Sequence, residues 1–219
     1  MILFWQNYYM KQLERFKVIL WDFDGVILDS MPIRDLGFVK VLEREGFHKS
    51  QINLLIEYHR LNGGLSRYVK FRYFYEQILN RPITEQEILR LSNLFSEIML
   101  TLLIDENLLI SDSFEFIKSN HKKYRFHIVS GSDGVELNEI CTSLNLSPYF
   151  KSIQGSPKPK KQLVHDLIVL NNYDKKDICL IGDSINDFEA SYHNDISFFG
   201  YNNLELKRQG NYINHFKEL

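Results

Sequence analysis

Residues 18–29 read VILWDFDGVILD, a short apolar run that ends abruptly in Asp22, Asp24 and Gly25. The run over residues 18–21 predicts a buried β-strand. Two carboxylates at the end of such a strand cost free energy unless a cation or hydrogen bonds compensate them. Because they are two residues apart, they can project from one face of an extended chain and bind a hard divalent cation. The alternative is a polar turn, since Asp and Gly are common turn residues.

Two later apolar runs also end in polar residues. Residues 126–129 precede a Ser-Gly-Ser sequence that begins at Ser130, and residues 178–181 precede a Gly-Asp-Ser sequence that contains Asp183. Between them, residues 155–161 read GSPKPKK just before a helical pattern. Ligands of parallel α/β sheets bind at the carboxyl ends of the strands. We therefore expect these polar residues to meet at one edge of a sheet.

The remaining periodicity indicates how the chain is organised. Strands are predicted near 18–21, 126–129, 149–153, 178–181 and 196–199, and helices near 135–144, 161–170 and 186–193. This alternation is typical of right-handed βαβ units and a parallel sheet.

The segment before the second strand differs, because apolar residues recur there at helical spacing as far as about residue 103. Thr84 followed by Glu87 predicts a capping box at the start of one of its helices. We predict a doubly wound α/β core formed by residues 1–32 and 111–219, with a helical insert over residues 33–110. Residues 8–13 are expected to form a short helix over the sheet edge.

Composition restricts the class of protein. The 219 residues carry a formal net charge of −2, which gives no global basic field and argues against a nucleic-acid partner. No apolar run reaches the roughly 18 residues of a membrane span, so we expect no membrane partner. Cys141 and Cys179 lie in apolar segments without metal-ligand spacing, as expected of a reduced, cytoplasmic protein. We expect a monomer or a small homo-oligomer.

The polar pieces, taken together and in order, resemble the haloacid dehalogenase (HAD) superfamily of phosphohydrolases. The matching pieces are Asp22-Phe23-Asp24-Gly25-Val26, Ser130, the Lys158–Lys161 cluster and Gly182-Asp183-Ser184-Ile185-Asn186-Asp187. The resemblance implies a Rossmann-like core with a small helical cap inserted after the first strand. Phosphoglycolate phosphatase-like and β-phosphoglucomutase-like enzymes share this layout.

The resemblance also implies roles for the aspartates. Asp22 matches the family's nucleophile, which forms an aspartyl-phosphate, and Asp24 matches its general acid and base. Mg²⁺ would be bound through the Asp22 carboxylate, the Asp24 backbone carbonyl and the carboxylate of Asp183. Asp187 would hold a metal-bound water or orient a lysine. Its alternative is a solvated aspartate in the first turn of a helix, where the helix dipole favours it.

Two further groups would bind the phosphoryl oxygens. The Ser130 hydroxyl and the Gly131 N–H match the family's donors, although Ser130 alone could equally cap the following helix. The lysine of the family has three candidates here. We favour Lys160, which the resemblance to family members with Gly-Ser-Pro-x-x-Lys suggests and which apolar residues follow at helical spacing. Lys158, which a Lys-Pro-x-Pro alignment suggests, comes second, and Lys161 comes third.

In the predicted insert, Gly63 and Gly64 permit a tight loop before Arg67 and Lys70. These two basic residues are three apart at a helix start, so they can face the same way. They resemble cap residues that reach the substrate. The alternative is an interhelical turn with a solvated basic face.

The most specific reading is a Mg²⁺-dependent phosphatase acting on a small phosphorylated metabolite. A sugar phosphomutase of the β-phosphoglucomutase type would use the same residues. A catalytically inactive phospho-ligand binding module is the alternative outside enzymes, and it is disfavoured because all the chemical positions are filled. Dehalogenation is also disfavoured, since family dehalogenases lack the second aspartate and do not use Mg²⁺.

Overall fold

The computed structural model describes residues 13–218. The helix expected over residues 8–13 therefore lies almost entirely outside the described residues. Within residues 13–218, none of the helices combines the length and the hydropathy that crossing a bilayer requires.

A six-stranded sheet, counted within the described residues, forms the centre of the core. All of its neighbouring strands run parallel, in the order β3-β2-β1-β4-β5-β6. The strands are β1 (Val18–Trp21), β2 (Arg125–Asp133), β3 (Ser152–Ser156), β4 (Ile178–Gly182), β5 (Ser197–Tyr201) and β6 (Asn211–Ile213). The predicted α/β fold class is confirmed. Strand β6 was not predicted, because three residues carry too little periodicity to identify a strand.

The three helices with predicted bounds, near 135–144, 161–170 and 186–193, begin and end within one residue of those positions. In chain order, the helices of the described residues are α1 (Met31–Arg44), α2 (Lys49–Leu61), α3 (Arg67–Tyr73), α4 (Glu85–Leu103), α5 (Ser111–Asn120), α6 (Gly134–Ser143), α7 (Lys160–Asn171) and α8 (Ile185–His193). Of the capping box predicted at Thr84 one half is present, since the Thr84 side chain accepts a hydrogen bond from the Glu87 N–H, while the Glu87 carboxylate pairs with Arg90.

Strand β1 shows why the sheet is covered on both faces. Its side chains alternate, so that Ile19 and Trp21 pack into one apolar cluster and Val18 and Leu20 into another. The first cluster includes residues of α5 and α6, and the second includes residues of α7 and α8. Burial on both faces explains why β1 is a continuous apolar run rather than an alternating one.

Five α-helices, α1–α5, lie between β1 and β2 in the described residues. The two ends of the segment that contains α1–α4 run side by side. The Asp29 N–H donates to the Leu108 carbonyl at 2.8 Å, and the Ile110 N–H donates to the Ile27 carbonyl at 2.9 Å. The division into a core and an insert over residues 33–110 stays a prediction.

Strand β2 is longer than predicted. It continues to Asp133, with an irregular register against β3 between Val129 and Asp133. Asp133 then caps α6, because its carboxylate accepts hydrogen bonds from the N–H groups of Val135 and Glu136. The alternative role of Ser130 as the cap of this helix is therefore wrong, since Ser130 lies within the strand.

The central strand gives a direct test of the fold. Leu20 is fully buried, whereas Leu170 at the end of α7 is 80% exposed. We expect Leu20→Ala to lower the free energy of unfolding by about 2–5 kcal/mol, because it leaves a cavity in a close-packed layer. The matched control Leu170→Ala should change it by less than about 0.5 kcal/mol in urea denaturation. Equal effects of the two changes would contradict the burial assigned to β1.

Candidate active site

The predicted polar residues meet at the carboxyl edge of three neighbouring strands. Asp22 follows β1, Ser130 lies in the last part of β2, and Asp183 follows β4. Because β1 lies between β2 and β4, Asp22 occupies the middle of this edge. The Asp22 N–H donates to the Ile181 carbonyl of β4 at 2.9 Å, which continues the pairing of the two strands into the site.

Asp22 is almost fully buried and has a cation beside it. The Lys160 ammonium lies 2.8 Å from one oxygen of the Asp22 carboxylate, and the Phe23 N–H donates to that oxygen at 2.8 Å. Burial raises the pKa of Asp22, and the negative charges of Asp187 and Asp183 add to the rise, while Lys160 opposes it. The ion pair with Lys160 thus opposes, without cancelling, the preference for the protonated form that burial and the neighbouring carboxylates create.

Lys160 is held by a second carboxylate. Its ammonium also donates to Asp187, whose other carboxylate oxygen accepts hydrogen bonds from the N–H and hydroxyl of Ser184. Burial opposes the charge on Lys160, but Asp187 and Asp22 outweigh it and raise its pKa above the usual range. Asp187 is fully buried, so the alternative of a solvated aspartate is wrong. Its contacts support an orienting role toward the lysine.

Three carboxylates approach one another closely enough for a metal ion. One oxygen each from Asp22, Asp183 and Asp187 lies within 4.8 Å of the other two. Burial raises the pKa of Asp183 to about 8, and the negative charge of Asp187 adds to the rise. Hard oxygen donors that repel one another in this way fit Mg²⁺, which would relieve their repulsion. The backbone at Asp183 is held by a hydrogen bond, because the Asn203 amide donates to the Asp183 carbonyl at 2.8 Å.

Gly25 explains how the chain can turn so close to Asp183. Its φ is +71°, a left-handed conformation that favours glycine. A Cβ atom at this position would overlap the Asp183 carboxylate. The glycine of the DxDG sequence therefore leaves space for the third carboxylate.

The surroundings of Asp24 lower its pKa, whereas those of Asp22 raise the pKa of that carboxyl. The Ser30 hydroxyl donates to one of its carboxylate oxygens, to which the Arg34 Nε also donates at 2.9 Å, and the Ser132 hydroxyl donates to the other. Burial alone would raise its pKa, but the Arg34 charge and the two hydroxyls outweigh burial and lower the pKa of Asp24 to about 2. Asp24 is therefore an ionised, fully hydrogen-bonded carboxylate in this conformation.

The predicted phosphate-binding residues Ser130 and Gly131 lie close to the loop before α3. The Ser130 hydroxyl is buried and accepts a hydrogen bond from the Ser132 N–H at 3.1 Å. A Cβ atom on Gly131 would overlap the Gly64 carbonyl oxygen, so Gly131 permits the loop before α3 to close over this edge. The paired glycines of that loop do approach the core closely, as the sequence predicted.

The three candidate lysines occupy different environments. Lys160 points into the site, whereas Lys158 is exposed and pairs with Asp166 at 2.6 Å. Lys161 is also exposed. Lys158, predicted as a second phosphate ligand, is thus directed toward solvent and another carboxylate. The helical periodicity of α7 explains the difference, since Lys160 lies on the buried face with Leu163 and Val164.

Arg67 and Lys70 do face the same way, but neither is solvated. Their exposed fractions are 4% and 2%, so the alternative of a solvated basic face is wrong. Arg67 lies 2.7 Å from the buried Glu136 of α6 and donates to the Ser96 hydroxyl at 2.6 Å. The Lys70 ammonium donates to the Gly63 carbonyl at 3.1 Å, and burial lowers its pKa to about 7. Substrate contact by both residues stays a prediction.

Two charged residues of the site were missed in the sequence. Arg34 donates to Asp24 and also to Glu136, at 2.5 Å, while Glu136 lies between Arg34 and Arg67. A signal was present, because Arg34 shares the buried face of α1 with Phe38, and Glu136 shares that of α6 with Ile140. A charged residue at an apolar position of a helix indicates a buried partner.

Comparison with solved structures gives the same architecture. A predicted phosphatase from Clostridium acetobutylicum is 18% identical, with a TM-score of 0.74, and the match covers 93% of this chain and 95% of that one. A β-phosphoglucomutase from Clostridium difficile is 16% identical, with a TM-score of 0.72 and 93% of each chain covered. A predicted phosphoglycolate phosphatase from Haemophilus somnus 129PT is 19% identical, with a TM-score of 0.68 and 85% of each chain covered.

The identities with these solved structures are low, so their likeness shows the fold alone. No curated protein matches the chain. The sequence profile of the haloacid dehalogenase-like hydrolases, however, matches residues 19–201, which include most of β1 together with Asp22, Ser130, Lys160 and Asp183. The chain therefore belongs to the haloacid dehalogenase-like hydrolase family.

Proposed function

We propose that the protein is a Mg²⁺-dependent phosphatase that hydrolyses a small phosphorylated metabolite through an aspartyl-phosphate on Asp22. The observation that carries the proposal is the pairing of the buried Asp22 carboxylate with Lys160, beside Asp183, at the carboxyl edge of the sheet. A nucleophile, a fixed cation and further carboxylates for a metal are what phosphoryl transfer requires.

In the first step, an oxygen of the Asp22 carboxylate attacks the phosphorus atom. A new O–P bond forms, and the ester P–O bond to the leaving group breaks. The Lys160 ammonium and the donors at Ser130 and Gly131 would balance the charge on the phosphoryl oxygens. Bound Mg²⁺ would add neutralisation of the same charge, held by Asp22, Asp183 and the Asp24 carbonyl.

Asp24 would serve both half-reactions. It donates a proton to the leaving oxygen in the first, and in the second it accepts a proton from the water that attacks phosphorus and regenerates Asp22. The ionised state in which Arg34 and the two hydroxyls hold it is ready for the second task. Protonation for the first task requires the contact between Arg34 and Asp24 to open. This conformation therefore suits the second half-reaction.

Helices α1–α4 would act as a cap over this site. Gly64 lies against Gly131, and the Tyr68 hydroxyl donates to Asp133 of β2 at 2.6 Å. These contacts exclude water from the edge of the sheet when the cap is closed. The likeness to structures described as phosphatases supports the proposal. Because one similar structure is described as a phosphomutase, the decisive measurement is whether the phosphoryl group is transferred to water or back to an organic substrate.

Asp22→Asn tests the nucleophile. We expect the release of inorganic phosphate from p-nitrophenyl phosphate to fall more than roughly 10³-fold, because an amide oxygen cannot form the covalent intermediate. Asp29→Asn, which changes an exposed aspartate of the same segment, should retain activity within about twofold. Circular dichroism should show both variants folded. Phosphate release by a pure Asp22→Asn preparation at the wild-type rate would refute the proposal.

Lys160→Ala and Lys158→Ala test the choice of lysine. The first removes a buried charge beside Asp22, and we expect kcat to fall roughly 10²–10⁴-fold, as for loss of a group that stabilises transition-state charge. The second removes an exposed, screened charge and should change kcat by less than about threefold. Steady-state kinetics of both variants decide the point, and a larger loss in Lys158→Ala would reverse the assignment.

The metal site predicts a pH-dependent stability. The folded pKa of Asp183 is about 8 against an ordinary value of 3.8, so the metal-free protein loses stability as the pH rises from about 4 toward 8. Mg²⁺ competes with protons for the same carboxylates, so it should raise Tm more at pH 8.5 than at pH 6, by about twofold. Thermal unfolding with Mg²⁺ or with a chelator measures this effect. An Asp183→Asn variant that keeps the full Mg²⁺ shift would contradict the site.

A further inference from the structure

Two adjacent asparagines, Asn202 and Asn203, directly follow β5 at the carboxyl edge of the sheet. Their side-chain amides donate to backbone carbonyls of two different loops. Asn202 donates to the Gly25 carbonyl at 3.0 Å, and Asn203 donates to the Asp183 carbonyl at 2.8 Å. One dipeptide therefore ties the loop after β1 to the loop after β4, and these loops carry the ligands of the proposed metal site.

The strand order shows what this link spans. Because β4 lies between β1 and β5, Asn203 reaches the neighbouring strand, and Asn202 reaches past it to the loop after β1. Within residues 13–218, the backbone hydrogen bonds between β1 and β4 end with the bond from the Asp22 N–H to the Ile181 carbonyl. Beyond that bond, the asparagine amides supply the next link between the two loops.

Local conformation directs both amides toward these carbonyls. Asn202 has a φ of +55°, in the left-handed region that asparagine tolerates better than most residues. The Oδ1 of Asn203 accepts a hydrogen bond from the Glu205 N–H at 3.2 Å, so its NH₂ group faces the Asp183 carbonyl. Leu206, in the short helix that follows, is buried. The two donors are therefore held by their own chain as well as by their acceptors.

The two loops need such a link because their carboxylates repel one another. One oxygen each from Asp22, Asp183 and Asp187 lies within 4.8 Å of the other two, and like charges this close repel strongly where solvent is excluded. A groove of about 330 Å³ runs along Asp183 and Asn203, so this side of the loops faces open space rather than packed side chains. Hydrogen bonds from a nearby strand therefore hold the spacing before a metal binds.

We propose that Asn202 and Asn203 are positioning residues that hold the loops after β1 and β4 at the spacing that Mg²⁺ requires. The inference rests on the proposed function, since it concerns the metal of that reaction. Neither side chain would touch the ion, because both act through the backbone of Gly25 and Asp183. Groups that hold metal ligands in place typically contribute about 10- to 100-fold in metal affinity. The loops then need no further ordering when the ion binds.

Asn202→Gly removes one amide and keeps the backbone conformation, because glycine adopts a left-handed φ without strain. Its matched control is Asn172→Gly, the same change at a φ of +51° just after the end of α7. That position lies about 18 Å along the helix from Lys160, at 1.5 Å per residue. The control therefore reports the effect of the substitution itself, without the link to Gly25.

Asn203→Ser removes the other amide and leaves a hydroxyl that can still accept from the Glu205 N–H, since serine is a good cap. Its matched control is Asn211→Ser. The Asn211 amide also donates to a backbone carbonyl, that of Phe198 at 3.2 Å, near the start of β5 and away from the carboxyl edge. Both variants therefore lose one hydrogen bond of the same kind, but only Asn203→Ser loses a contact with the metal site.

Isothermal titration calorimetry of the metal-free full chain with MgCl₂ and with CaCl₂ measures the two dissociation constants. We expect the Kd for Mg²⁺ to rise about tenfold in Asn202→Gly and in Asn203→Ser, and to change by less than about twofold in the controls. The Kd for Ca²⁺ should rise less than about threefold, because Ca²⁺ accepts variable coordination whereas Mg²⁺ demands a near-ideal octahedron. A general loosening of the fold would not produce this difference between the metals.

Kinetics on p-nitrophenyl phosphate give a second readout. The Mg²⁺ concentration for half-maximal rate should rise about tenfold in both variants, while kcat at saturating Mg²⁺ stays within about threefold of the wild type. An unchanged Kd for Mg²⁺ in either variant, or equal rises for Mg²⁺ and Ca²⁺, would overturn the positioning role and leave the proposed function standing. Failure of the wild-type protein to bind Mg²⁺ would instead overturn the metal site of the proposed function and this inference together.

Discussion

The buried ammonium of Lys160 is the interaction on which the site depends. It lies between Asp22 and Asp187, and without it three carboxylates would face one another in a region that solvent scarcely reaches. Burial and mutual repulsion already raise the pKa of Asp22 and of Asp183. The Lys160 charge opposes that rise at Asp22, the proposed nucleophile, and a divalent metal would neutralise the negative charge that remains.

This arrangement requires backbone segments, as well as charged side chains, to approach one another closely. Parallel strands bring Asp22 and Asp183 to the same edge, but only a glycine at position 25 leaves room for the Asp183 carboxylate. Gly131 likewise leaves room for the carbonyl of Gly64. The site is thus built from a regular sheet edge and from two positions at which any side chain would collide.

A second buried network connects the helices α1–α4 to the core. Glu136 of α6 lies between Arg34 of α1 and Arg67 of α3, and Arg34 continues the network to Asp24. Buried ion pairs contribute little net stability, yet removing one partner is costly because it leaves a charge uncompensated. Their value here is geometric, since the network sets the position of the proposed general acid relative to the segment that covers it.

The sequence by itself determined the parallel α/β fold, the helical segment after the first strand and the aspartates at the strand ends. These features depend on local periodicity and on residues that directly follow a strand, so they can be identified from the sequence alone. The choice of Lys160 over Lys158 followed from the resemblance to a Gly-Ser-Pro-x-x-Lys pattern, and the structure places Lys160 on the buried side. Only the tertiary structure decided which charges meet, because Glu136 lies 102 residues from Arg34 along the chain and pairs with it through packing of separate helices. Local pattern specifies which face of an element is buried, whereas the partner of a buried charge depends on how the elements pack.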